Sequence, residues 1–79
     1  ISWTEGAMEF DAMPFPLLIA RLSRCYNVNI QIASKELETM KFTGVIFRNK
    51  PLDFALDIIH RVSDVKFEKK GETILVKKQ

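Results

Sequence analysis

The stretch Phe47–Phe67, FRNKPLDFALDIIHRVSDVKF, decides how this chain folds. It predicts a strand end, a turn, a helix, a second turn and another strand. Pro51 can open the helix, because the first helical position has no intrahelical amide bond to lose. Leu52, Ala55, Leu56, Ile59 and Val62 then recur at helical spacing. After Ser63-Asp64 the period shortens to two, with Val65 and Phe67 on one face and Lys66 and Glu68 on the other.

The same unit is legible upstream. Phe10 aligns with Phe47, Pro14 with Pro51, Arg24 with Arg61 and Val28 with Val65. Between those anchors Phe15/Leu52, Leu17/Phe54, Ile19/Leu56 and Leu22/Ile59 agree in character. A duplicated β-α-β follows, with repeats at about 8–32 and 45–69, in an α+β domain of five short strands spanning 1–79. Gly71, after Lys70, supplies the positive φ of a tight turn and closes a C-terminal hairpin whose last strand is Thr73–Lys77.

In the first unit Met8 and Phe10 form a short strand, and Asp11-Ala12-Met13 turns the chain into a helix running from Pro14 to about Tyr26. Its inward stripe is Phe15, Leu18, Ile19, Leu22 and Cys25, with Arg21 and Arg24 off it. Free cysteine is among the most buried residue types, so Cys25 reads as a small core hydrophobe. Val28-Asn29-Ile30-Gln31-Ile32 alternates as a strand. Leu37 and Met40 cover the core's edge from a polar connector. Phe42–Phe47 is the third strand, and Gly44 within it marks a bulge or a close backbone approach. Trp3, in the lead-in, is expected against the edge of the core. The start Ile1-Ser2-Trp3 carries no initiator Met or signal-like segment and suggests a piece of a longer protein.

Composition narrows the function classes. The chain has 79 residues, 47% of them apolar, one cysteine and a net charge of +2. That excludes an internal disulfide, and the short apolar runs exclude a spanning helix. His60 has Asp57 and Asp64 on its side of the helix, but zinc wants a fuller ligand set, so the trio reads as a solvated face. Ser23, Ser34 and Ser63 sit where turn and helix-end residues belong, and there is no glycine-rich phosphate loop. No enzyme, no metal and no cofactor is expected. Lysines 66, 69, 70, 77 and 78 gather around the final hairpin, interrupted by Glu68 and Glu72. They read as a charged edge that discourages strand pairing rather than a nucleic-acid surface. A KH-like nucleic-acid module is the fold-level rival, without its glycine-bearing clamp loop.

From Trp3 to Ile74 the residues resemble the C-terminal domain of FecR-type anti-sigma regulators. The pattern is Trp3 and Gly6, Met8-Glu9-Phe10, Pro14-Phe15, Leu22, Arg24, Tyr26-Asn27-Val28 and Ile30, then Leu37, Phe42-Thr43-Gly44, Phe47, Leu52, Leu56, Phe67, Gly71 and Ile74. Cys25 departs from it, standing where a larger and often aromatic residue is expected. The resemblance implies a periplasmic domain of a single-pass inner-membrane protein. Its partner would be the signalling domain of a TonB-dependent outer-membrane transporter, and a cytoplasmic part of the parent chain would hold an extracytoplasmic-function sigma factor. The chain is also similar to the secretin/TonB short N-terminal domain, in which two helices lie between two small sheets.

That arrangement implies that Phe54 and Ile58, apolar on a second side of the second helix, are core residues; a docking patch is the other reading. Two docking routes are open. One is strand addition at a sheet edge, with Thr73 and Leu75 of the last strand. The other is a helix face carrying Arg21, Arg24 and Arg61. A structural domain of the ring-forming secretin type is a second function on the same fold.

Overall fold

Alternation in two stretches of the chain builds the first sheet. Met8 and Phe10 in one strand, and Phe42 and Ile46 in another, turn to a common face and are buried there. A computed structural model describes residues 6–79. In chain order its elements are β1 (Ala7–Pro14), α1 (Phe15–Tyr26), β2 (Asn29–Ile32), a 3-10 turn (Lys35–Thr39), β3 (Lys41–Phe47), α2 (Leu52–Val62), β4 (Val65–Lys70) and β5 (Thr73–Lys78). The expected position of Trp3 lies outside the described residues.

The strands form two small sheets, β1-β3 and β2-β5-β4. β1 and β3 run antiparallel, while β5 is parallel to β2 and antiparallel to β4. α1 packs on β1, β3 and β2, and α2 packs on β3 and β4, so each helix touches both sheets. The expected α+β architecture, two helices held between small sheets with a C-terminal hairpin, is the one observed.

The core fills the space between the sheets. Phe15, Leu18 and Leu22 of α1, Phe42 and Ile46 of β3, Ile59 of α2, Val65, Val76 and Leu37 are fully buried. Each such side chain contributes about 1.5–3 kcal/mol through removal from water. Asn27 ends α1 in the left-handed conformation, its amide donating to the Ser23 carbonyl. Pro14 and Pro51 stand one position before the helices as their N-caps, extended rather than helical.

Asp11-Ala12-Met13 does not turn the chain. β1 continues through it to Pro14 with a bulge, so that Asp11 and Ala12 together face Thr43. Ala12 takes φ 53°, and its amide donates to the Thr43 hydroxyl at 3.0 Å. Beside the bulge, Gly44, the partner of Phe10, leaves room for the Phe42 ring: a Cβ there would stand 2.9 Å from that ring. The Phe10 and Phe42 rings meet edge to face at 6.1 Å.

Candidate functional site

The outer face of α1 follows from its sequence. Once Phe15, Leu18, Ile19 and Leu22 turn inward, the helical period leaves Leu17, Ala20, Arg21 and Arg24 outward, and all four are exposed. The helix contains no acidic residue. Beyond it, Arg48 leaves the end of β3, where its amide donates to the Gly6 carbonyl. Arg21, Arg24 and Arg48, with Met8 and Cys25, line an open depression of about 420 Å³. Cys25 is exposed and is not the core residue its helical spacing predicted. The inward stripe stops at Leu22, and the last turn of α1 projects its next member toward solvent.

Arg61 does not join this group. It is one turn from Asp57 on α2 and bonded to it at 2.9 Å. Other cations near the second sheet are matched as well, Lys69 with Asp53 at 3.5 Å and Lys77 with Glu68 at 2.8 Å. The Lys77 hydrogen bond, helped by its charge and that of Lys70, holds the Glu68 carboxyl below its usual range. The helix face expected to carry three arginines is therefore two surfaces, one with Arg21 and Arg24, the other with a neutralised Arg61.

A second exposed feature lies where β3 meets α2. Phe54 is 42% exposed and Phe47 40%, and their rings meet edge to face at 6.4 Å with the Lys50 ammonium 5.9 Å from the Phe54 ring. Ile58, one turn on, is half-buried, and Val62, expected inward, is exposed. The two sheets thus clasp α2 on the side of Ala55, Leu56 and Ile59 only, and Phe54 is corrected from core to surface.

Thr73 and Leu75 do not lie on a sheet edge. β5 is the central strand of its sheet, with β2 on one side and β4 on the other, so its ladder is filled. Leu75 is paired with Gln31 and Glu68, and the Thr73 hydroxyl accepts from the Asn29 amide at 3.2 Å. The residues proposed for strand addition are instead the ones that join the halves of the sheet. His60 is likewise committed to structure: its Nδ1 lies 2.6 Å from the Val65 carbonyl, which fixes the donor role of that nitrogen.

Tyr26 had stood only as a member of a motif. Its hydroxyl lies 3.2 Å from the carbonyls of both Phe47 and Lys50, tying the end of α1 to the turn that carries Phe47, Arg48 and Lys50. Burial, reinforced by nearby Cys25 and offset by Arg48, raises the phenol above its ordinary value. The hydroxyl thereby meets the backbone of Phe47, a member of the aromatic pair, one residue before Arg48.

Two crystal structures, each assigned as an anti-sigma factor from Parabacteroides distasonis ATCC 8503, share this fold. The 1.65 Å structure aligns with a TM-score of 0.83 at 24% identity, covering 95% of this chain and 35% of that one. The 2.50 Å structure gives 0.84 at 24% identity, covering 98% and 36%. The chain therefore spans about a third of the length of these structures. No curated protein matches it in sequence. The family model described as FecR, C-terminal, matches residues 7–76. From just after Gly6 to Val76 the sequence satisfies that pattern, and the chain belongs to the FecR C-terminal family.

Proposed function

We propose that this chain is the non-catalytic, protein-binding domain of a transmembrane anti-sigma regulator. It lies in the periplasm and receives a signal from the signalling domain of a TonB-dependent outer-membrane transporter. The parent chain passes the signal to an extracytoplasmic-function sigma factor through a cytoplasmic part. The observation that carries this reading is the family match over residues 7–76. Surfaces suited to protein contact support it: the Phe47–Phe54 pair and the arginine-bearing face of α1. Among the described residues no helix is long and apolar enough to cross a membrane, so the reading places the anchor outside them.

Isothermal titration of the protein against the signalling domain of a TonB-dependent transporter from the same organism tests the partner. Saturable one-to-one binding in the micromolar range or tighter is expected. Alkaline phosphatase fused after Gln79 of the full regulator tests the address, since it is active only when exported. Heat-free titrations together with an inactive fusion would sink the reading.

A further inference from the structure

We propose that the depression framed by Arg21, Arg24 and Arg48 is the docking site for a short, carboxylate-rich segment of the partner protein. Charge is the first argument. Arg21 and Arg24 stand on a helix without a single acid, while Arg61, Lys69 and Lys77 are matched by Asp57, Asp53 and Glu68. Two guanidinium groups one turn apart on α1 present forked donors that match carboxylates, and Arg48 forms part of the rim.

Shape is the second argument. A depression of about 420 Å³ takes a few side chains rather than a fold. Met8 and Cys25 give it a weakly polar floor against which the methylenes of a glutamate or aspartate can lie. Exposed Leu17 stands one turn from Arg21 on the same face, an apolar contact beside the cationic one.

The surroundings decide between anions. A second depression shares Arg21 but is lined by Glu9 and Asp11. Those two carboxylates border the cationic site and oppose any anion that extends past it. A nucleic-acid strand or the plane of an anionic bilayer would have to cover them; a short acidic peptide segment does not. Arg24, in the last turn of α1, also offsets the negative end of the helix, so Arg21 is the cleaner residue to change.

The proposal rests on the protein-binding reading above for the partner's identity, and the experiment separates the two. Fluorescein-labelled hexaglutamate is titrated into the protein and followed by anisotropy, with amide shifts recorded in parallel. Shifts confined to the neighbourhoods of Met8, Leu17–Cys25 and Arg48 are expected, with binding that weakens about tenfold between roughly 50 and 300 mM salt. Arg21→Glu should weaken binding by about tenfold or more, and Arg61→Glu by less than about twofold. Equal losses in the two variants, or shifts centred on the β4–β5 lysines, overturn the site. Tighter binding to phosphatidylglycerol vesicles than to hexaglutamate overturns the ligand class. The transporter signalling domain is then titrated against the same variants. Binding by that domain that ignores Arg21→Glu rejects the site while leaving the protein-binding reading intact. Hexaglutamate bound at the arginines with no binding of that domain rejects the partner and upholds the site.

Discussion

Tyr26 shows how much one hydroxyl can organise. It joins α1 to the turn after β3 through two carbonyls, and a phenolate has no proton to give either. Tyr26→Phe should cost about 1 kcal/mol in a urea melt, the typical net worth of such a hydrogen bond. The pH dependence has a definite sign. A phenol raised in the folded state contributes stability that is complete below its unfolded pKa and fades as pH rises through the folded one. Stability should therefore decline on the alkaline side, beginning near the ordinary tyrosine range, and the decline should be shallower in Tyr26→Phe. A variant with the same alkaline slope as the parent would place the titrating group elsewhere.

Gly44 is the residue-scale counterpart in the core. With the Phe42 ring 2.9 Å from where a Cβ would sit, Gly44→Ala forces a buried, edge-to-face pair to move. A loss of about 1–3 kcal/mol is expected in a denaturant melt, the usual cost of overpacking. The glycine was readable in the sequence as a sign of close approach. What approached it was not, because the ring comes from two residues away on its own strand and the space from a bulge in another.

Among the elements, the helices were read well where periodicity alone decides and poorly where the cover matters. Phe15, Leu18, Ile19 and Leu22 follow from the 3.6-residue period, and all are buried. The same period nominated Cys25 and Val62, and both are exposed, each in the last turn of its helix. Helical spacing set Phe54 and Ile58 on a second apolar side of α2. Spacing could not say that one would stack on Phe47 in the open. The two sides of α2 should therefore respond differently to truncation. Leu56→Ala or Ile59→Ala should cost about 2–5 kcal/mol by leaving a core cavity, whereas Phe54→Ala should cost about 1 kcal/mol, the worth of an exposed aromatic pair. Chemical denaturation of the three variants side by side distinguishes them; a Phe54→Ala loss as large as that of Ile59→Ala would contradict the exposed pair.

For the whole molecule, the sequence announced five strands and a closing hairpin but not their order in the sheets. Strand order depends on which distant segments meet, and local pattern carries little of that information. The lysines at the end of β5 suggested an edge, yet β5 holds the centre, flanked by β2 from the first unit and β4 from the second. Removing 73–79 would therefore take out both ladders of the three-stranded sheet together with the buried side chains of Ile74 and Val76. The shortened chain should lose cooperative thermal unfolding, monitored by circular dichroism, rather than show a modest drop in midpoint. A sharp transition in the truncated protein would mean that the elements from β1 to β4 hold together by themselves.

The central place of β5 also sets a clock on the making of the protein. A ribosome delivers β1, α1 and β2 first, and Ile30 then has no strand to lie beside until Thr73–Lys78 emerges, more than forty residues later in the chain. Until β5 has emerged, the apolar stripe of α1 and the open side of β2 remain available to chaperones. β5 is the strand that ends that window.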